Sequence, residues 1–463
     1  MWNESSMGLG AAFRWMLAVL VVVAGAVLVR SELSKSAEVK PTLHPSRLYV
    51  LAEKTNPVRE EPIGLAKFEP TRGCYLGAYI DLESNLKQIY KDSNHADRRR
   101  PDEFEKWVDK PHAMYFFYLG YGRPIPLDWL RYLASQNKFV HIALEPNDGL
   151  EMVNEDEYLL QLAKDLRLSG TRVFLRFASE MNGDWVKYHG DPTLYKEKWS
   201  LVTRIMRDNA PNVAMVWCPY ALPVQNIEEY YPGDDQVDWV GVNLYNVSYF
   251  NQDPMAPAKD ISPMDLLTPV YERYADRKPI MICEYATTHF SALENRSLGY
   301  FAANNILDLY KSLRTDFPRV KAINYFSSNN LALAHRRNNN YSLLHDSRVL
   351  EAYRRAIRND YFLSAPQDSG SKEGRYSVRV SKSLEISERT RISVAIDANA
   401  DISFVKFVFD GKPLFSSDSQ RDWGMMIDPN YYEPGNHLLR AEAYDESGNL
   451  MASQLVKLRI VRK

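Results

Sequence analysis

Cysteine is scarce: Cys74, Cys218 and Cys283 are the three in 463 residues. They cannot staple a small secreted scaffold, and no CxxC or Cys/His spacing offers a structural zinc site. His141, His189 and His289 do not fall at metal-ligand spacing either, so neither a metal nor a cofactor is assigned. An excess of one charge is also missing. Lys and Arg number 57 against 59 Asp and Glu, a net charge of -2, and without a basic surplus nothing recommends nucleic acid as a partner. No internal repeat at solenoid period is visible. With 45% hydrophobic and 25% charged residues the chain is ordinary globular material, which excludes a wholly disordered or multi-span protein. Aromatic residues are what it has in excess: 12%, with 29 Tyr and 9 Trp. Aromatic faces stack on sugars, but buried rings also fill cores.

One long apolar run exists, Trp15 to Val29, between Arg14 and Arg30. It reads as an uncleaved single-span anchor helix, so the membrane is an expected partner. A cleaved signal peptide is the alternative, because Ala24-Gly25-Ala26 has the small-residue pattern of a cleavage site. Either way the bulk of the chain is expected outside the cytoplasm, anchored or secreted, although Arg30, Lys35 and Lys40 run against a simple positive-inside count.

Residues 1–30 are therefore expected to be the anchor or signal peptide. Residues 31–70, with Pro41, Pro45, Pro57, Pro62 and Pro70 among charges, read as a linker. Over 71–363, apolar strand candidates alternate with amphipathic helices: Tyr75–Ile80, Ala113–Leu119, Phe139–Leu144, Arg172–Ala178, Val213–Cys218, Trp239–Leu244, Pro279–Cys283 and Ala322–Phe326. That rhythm predicts an α/β fold, a (β/α)8 TIM barrel. A doubly wound sheet is the alternative, but no GxGxxG follows the first strand. After the polar stretch Ser364–Gly374, residues 375–463 alternate with period two and carry Asp410-Gly411 and Ser447-Gly448 turns, which predicts a C-terminal β-sandwich.

Two strands of the barrel end in glutamate. The fourth runs into Leu175-Arg176-Phe177-Ala178-Ser179-Glu180-Met181-Asn182-Gly183-Asp184-Trp185, and the seventh into Pro279-Ile280-Met281-Ile282-Cys283-Glu284-Tyr285. Residues past the carboxyl ends of barrel strands face the catalytic mouth. A lone glutamate there is as readily a solvated strand end. A pair supplies what glycosidic cleavage needs: one carboxyl to protonate the leaving oxygen, another to attack the anomeric carbon. Glu145, ending the third strand, is a further candidate for touching substrate.

Arg176 with Glu180 to Trp185, then Tyr231-Pro232-Gly233-Asp234-Asp235 leading into Val237-Asp238-Trp239-Val240-Gly241, then Glu284, resembles glycoside hydrolase family 26 over roughly residues 71–360. That family holds mainly endo-β-mannanases, with some β-glucanases and xylanases. The resemblance implies Glu180 as acid/base, Glu284 as nucleophile, Arg176 beneath them, Trp185 as a sugar platform and Tyr245 bonding the nucleophile. Asn182 and Tyr325 are counted with Arg176, Trp185, Tyr245 and Glu145 as substrate-binding. Two departures concern the substrate. Ser179 stands where family mannanases usually have His, and Asn324-Tyr325-Phe326 replaces the common eighth-strand Trp floor. The C-terminal stretch resembles bacterial immunoglobulin-like modules through Phe409-Asp410-Gly411-Lys412, Pro434-Gly435-Asn436-His437 and Ala443-Tyr444-Asp445. The expected function is a retaining β-glycanase acting within a polysaccharide: β-mannan, β-glucan or an exopolysaccharide. A catalytically silent glycan-binding or scaffold protein on the same barrel is the alternative.

Overall fold

A strand with a packed lumen on one side and helices on the other must be apolar on both faces, and the eight candidates are. The computed structural model describes residues 47–55, 65–333, 338–367, 375–380, 382–397, 402–417 and 423–462. Eight parallel strands in it close into a barrel: β1 (Cys74–Tyr79), β2 (Met114–Gly120), β3 (Phe139–Glu145), β4 (Val173–Phe177), β5 (Val213–Trp217), β6 (Trp239–Asn246), β7 (Ile280–Thr287) and β8 (Val320–Phe326). β8 pairs back onto β1 from Ala322↔Tyr75 to Phe326↔Tyr79, so the ring is complete.

Helices clothe the outside: α1 (Pro101–Val108), α2 (Leu127–Ser135), α3 (Glu157–Leu168), α4 (Pro192–Asn209), α5 (Pro263–Tyr274), α6 (Gly299–Thr315) and α7 (Ser347–Ile357). α3 buries Leu159, Leu162, Ala163 and Leu166, one stripe of 3.6 period. α4 begins where Asp191 accepts the Leu194 amide at 2.9 Å, with Pro192 in the first turn. Between β5 and β6 a single 3-10 turn, Glu228–Tyr230, stands in place of a helix.

The floor of the barrel is an aromatic plug. Tyr75, Met114, Phe139, Phe174, Trp239 and Met281 fill the lower lumen. Phe68 presses into it from below, its ring centroid 5.5 Å from those of both Phe139 and Phe174. Lys67 donates to the Val213 carbonyl at 2.7 Å, the Trp239 indole donates to the Lys67 carbonyl at 2.7 Å, and Glu69 pairs with Arg319. The end of the expected linker is thus part of the barrel.

A second part of that linker is a strand. Arg47–Thr55 lies between Arg375–Arg379 and Thr390–Asp397 in a four-stranded antiparallel sheet whose far member is Gly424–Ile427. A five-stranded sheet runs Ser383–Ile386, Leu450–Ile460, Gly435–Tyr444, Phe404–Phe409, Lys412–Ser417. The two sheets share one core: Val50, Ile392, Val394 and Ile427 meet Val405, Phe407, Leu439, Val456 and Leu458. Asp410 (φ 47°) and Gly411 (φ 79°) make the tight hairpin their sequence predicts. Local pattern could not reveal the Arg47–Thr55 strand, because its partners lie more than three hundred residues away in the chain. α6 packs against this sheet, and Arg314 donates to the Val394 carbonyl at 2.5 Å.

The apolar run Trp15–Val29 and the membrane partnering assigned to it lie outside the described residues; no helix among those described is long and apolar enough to cross a membrane. The inserted strand makes truncation asymmetric. Deleting residues 1–55 removes the buried side chains of Leu48, Val50 and Leu51, worth together about 5–9 kcal/mol, against a typical domain stability of about 5–15 kcal/mol. The C-terminal unit should then unfold, seen as rapid proteolysis beyond residue 375, whereas deleting 1–46 should leave it resistant.

Candidate active site

Along β7 the alternation of side chains puts Met281 into the lumen and Ile282 outward, so Cys283 should point in and Glu284 out. The strand does not keep that count. Ile282 pairs with Val242 but Glu284 pairs with Asn243, so one residue is bulged out of register at Cys283. The bulge turns Glu284 into the mouth, beside the inward Asn243 of β6. Gly241 makes room for it: a Cβ there would lie 2.5 Å from the Cys283 sulfur.

Glu284 is 4% exposed and saturated with donors. Its Oε1 accepts from Arg176 Nη2 at 2.5 Å and from the Tyr118 hydroxyl at 2.6 Å; its Oε2 accepts from the Tyr245 hydroxyl. Arg176, on β4, is fully buried below it. Burial works against its charge, but the combined attraction of Glu284 and the other groups around it holds the guanidinium well above its usual pKa. Its other arm donates from Nη1 to Asn243 Oδ1 at 3.0 Å, and Asn243 Nδ2 donates to Glu180 Oε1 at 2.7 Å. A continuous chain of hydrogen bonds thereby joins the two glutamates.

Glu180 sits in a left-handed backbone conformation, φ 59°, just past β4. For a residue with a Cβ that is strained, and here two bonds fasten the turn: Glu180 N donates to the Cys218 carbonyl at 2.8 Å and Gly183 N to the Glu180 carbonyl at 2.9 Å. Trp185 folds back over Gly183, where a Cβ would come within 2.3 Å of the indole, and its Nε1 donates to Glu180 Oε2 at 2.7 Å. The indole stays 37% exposed and meets Tyr220 edge-on at 5.2 Å. Burial, and then the negative Glu284, push the Glu180 carboxyl up to about 7; the bonds from Asn243 and Trp185 and the charge of Arg176 pull the other way and lose. One carboxyl is therefore poised to hold a proton near neutrality beside another that is matched by a cation.

Two residues expected to bind substrate are placed otherwise, and a third is engaged by protein. Tyr325 is fully buried on the outer side of β8, against Tyr285 and Tyr353, because alternation gives the lumen to Asn324 and Phe326. Asn182 is 3% exposed and spends its amide on the loop after β5, donating to the Tyr220 and Pro223 carbonyls and accepting from Tyr220 N. Glu145 does face the mouth, but its carboxylate accepts from Ser179 Oγ at 2.6 Å, Ser179 N at 3.1 Å and the Tyr188 hydroxyl at 2.7 Å. It holds the residue before Glu180 in place. The Tyr231–Asp235 stretch lies away from the mouth, with Asp234 bound by Tyr231 and Arg277. Residues 334–337, in the loop after β8, lie outside the described residues.

Sequence reasoning missed Tyr118, Asn243 and Tyr188. Tyr118 follows Met114 and Phe116 at period two on β2, and Asn243 interrupts the apolar Trp239–Leu244 run, so both left a signal. Tyr188 left none, since its reach to Glu145 depends on the fold of the loop after β4. Among the described residues no group of three or more His, Cys, Asp or Glu side chains could hold a metal ion.

Comparison with known proteins gives the site a context. The model of "Glycosyl hydrolase family 26" matches residues 135–260, the span that carries Glu145, Arg176, Glu180, Asn243 and Tyr245. A curated relative, Endoglucanase H of Acetivibrio thermocellus, is 27% identical over 214 residues, 44% of this chain and 22% of that protein. The chain thus spans about a fifth of the length of the curated relative it matches. Among solved structures, a modular endo-β-1,4-mannanase from Cellulomonas fimi is 13% identical with a TM-score of 0.47, covering 86% of this chain and 96% of that one. A β-mannanase from Bacteroides ovatus is 14% identical with a TM-score of 0.43, covering 65% and 92%.

The buried ion pair makes a stability prediction. Arg176→Met leaves the buried Glu284 without its cation, and should cost about 3–5 kcal/mol. Denaturant unfolding followed by the fluorescence of the buried barrel tryptophans Trp199, Trp217 and Trp239 checks it. A loss under about 1 kcal/mol would mean that the pair behaves as a solvated surface bridge.

Proposed function

We propose that this protein is a retaining glycoside hydrolase that cuts internal β-glycosidic bonds of a polysaccharide, with Glu180 as acid/base and Glu284 as nucleophile. The observation that carries the reading is the unlike surroundings of the two carboxyls: Glu180 is pushed up to about 7 and has only neutral donors in contact, while Glu284 is bound by Arg176, Tyr118 and Tyr245. In the first step Glu284 attacks the anomeric carbon and Glu180 gives its proton to the departing oxygen. Oε1 of Glu284 is tied by two donors, which leaves Oε2, with Tyr245 alone, as the attacking atom. Forming the glycosyl ester removes the negative charge that, after burial, raised Glu180. Its pKa falls, and it can take a proton from the water that resolves the intermediate.

The family-model match and the name of the curated relative support a β-glycan as substrate, with β-mannan, β-glucan and an exopolysaccharide as the classes to test. Trp185, partly exposed beside the acid/base, is suited to stack on a sugar ring. The C-terminal two-sheet unit is read as an immunoglobulin-like β-sandwich acting as a spacer, and the apolar run Trp15–Val29 as a tether holding the enzyme outside the cytoplasm.

A hydrolysis screen over mannan, mixed-linkage glucan, xylan and exopolysaccharide tests the reading. Glu284→Ala should abolish activity on every substrate. Glu180→Ala should slow natural polymers by about 10²–10⁴-fold yet spare the first step on aryl glycosides whose leaving group needs no proton. Proton NMR should show retained configuration; an inverted product, or full natural activity in either variant, sinks the assignment. Because only protonated Glu180 serves the first step, turnover of natural polymer should fall as pH rises through about 7. A basic limb of the pH profile that survives Glu180→Ala unchanged would assign it to another group.

A further inference from the structure

β2 reads Met114-Tyr115-Phe116-Phe117-Tyr118-Leu119-Gly120, and its alternation sends Met114, Phe116 and Tyr118 to the lumen. Tyr118 stands at the top of that file. Tyr79 and Phe116 hold its ring edge-on at 5.5 and 5.7 Å, and the Arg176 guanidinium carbon lies 5.6 Å from its centroid. The residue is nevertheless 41% exposed, so it is fixed by protein on one side and open to the mouth on the other.

An ionised carboxylate offers about four lone-pair sites, two on each oxygen. On Glu284 Oε1 both are taken, by Arg176 Nη2 at 2.5 Å and by the Tyr118 hydroxyl at 2.6 Å. On Oε2 Tyr245 takes one, and the other is needed for the bond to the anomeric carbon. None is left for a sugar hydroxyl. The hydroxyl on C2 is the one concerned: it sits next to the reacting carbon, within reach of the nucleophile oxygen that does not attack, and bonds to it that strengthen in the transition state aid glycoside cleavage. We propose that Tyr118 is a specificity-determining residue whose hydroxyl fills, at Glu284 Oε1, the site a sugar 2-hydroxyl would take, so that cleavage does not draw on that hydroxyl and tolerates either configuration at C2. This rests on the nucleophile role proposed for Glu284. Acceptors around Arg176 are spent in the same way: Asn243 Oδ1 accepts from Arg176 and the Cys218 thiol, and Glu145 from Ser179 and Tyr188. Toward a sugar the Tyr118 oxygen, its hydrogen given to Glu284, presents a neutral lone pair, which binds a hydroxyl about half as strongly as a carboxylate does.

Three aryl glycosides of one nitrophenol test this: the β-glucoside, the β-mannoside, and the 2-deoxy compound common to both, since removing the 2-hydroxyl erases their difference. The full chain is compared with Tyr118→Phe, which keeps the ring against Tyr79 and Phe116 and vacates the site on Oε1. The readout is kcat/KM of each hydroxylated substrate relative to the 2-deoxy one; comparing parent with variant cancels the intrinsic reactivity of the glycosides. That ratio should rise about tenfold or more in Tyr118→Phe for the epimer whose hydroxyl reaches the freed lone pair, whatever happens to the absolute rates. A ratio unchanged for both epimers would mean that Tyr118 only orients the nucleophile, and a lower one that it binds the 2-hydroxyl itself. Either result overturns the inference. Calorimetry makes the same comparison without turnover. The probes are a six-membered iminosugar with nitrogen at the anomeric position and no 2-hydroxyl, and its two 2-hydroxy epimers. Tyr118→Phe should gain about tenfold in relative affinity for one epimer; no gain, or no binding of any probe, overturns the inference. If the gain appears while the parent cleaves no glycoside, the hold of Tyr118 on Oε1 stands and the hydrolase reading falls.

Discussion

A guanidinium with no exposed surface, lodged inside a barrel, cannot be left alone, and most of the mouth of this protein is the answer to Arg176. Water cannot reach it, so its charge and the donors of its two arms are met by side chains, while its Nε has no hydrogen-bond partner among the described residues. Glu284 meets the charge and Asn243 takes the second arm. Glu145 lies 4.0 Å away, and the rings of Phe116 and Tyr118 lie 5.8 and 5.6 Å from the guanidinium carbon. Because the fork is planar and rigid, satisfying it fixes where each partner stands. The separation and orientation of the two glutamates are consequences of that fit.

Backbone irregularity makes the fit possible, and both irregularities carry a glutamate. β7 must slip by one residue at Cys283 to present Glu284, and the chain after β4 must take a left-handed turn to present Glu180. Neither conformation is what an uninterrupted barrel strand would adopt. Each is held by neighbours: the Gly241 gap accommodates the first, and the Glu145–Ser179–Tyr188 cluster with the Cys218 carbonyl restrains the second. Strain that surrounding structure over-determines persists at sites where position matters more than local stability.

The sequence made the barrel legible because its signal is local: continuous apolar runs of strand length, separated by helices with a single buried stripe. Glu180 and Glu284 were legible because polar residues ending such runs are conspicuous, and Arg176 through the resemblance of the motif it heads. What it hid is what pairs across distance. The Arg47–Thr55 strand looked like linker since its partners come after residue 374. Tyr325 looked like a floor residue until the register of β8 turned it outward, and Asn182 looked like a sugar ligand until its amide closed the loop after β5. Polarity near a motif says that a group needs a partner; only the fold says whether that partner is protein or ligand.

Charge balance at the mouth explains why one carboxyl must give way. Glu145, Glu180 and Glu284 converge there, and Arg176 is the cation they share in the described site. Glu284 holds it at 2.5 Å. Glu145 is pushed upward by burial but retains Arg176 at 4.0 Å and three donors from Ser179 and Tyr188. Glu180 has only neutral donors in contact, from Asn243 and Trp185, and it faces the charge of Glu284. A neutral donor offsets less of the cost of a buried charge than a paired cation does, so the third carboxyl is the one that binds a proton near neutrality. Burial is the larger cause of the asymmetry, and the charge of Glu284 adds to it. Any reaction that consumes that charge lowers the proton affinity of Glu180 without moving it.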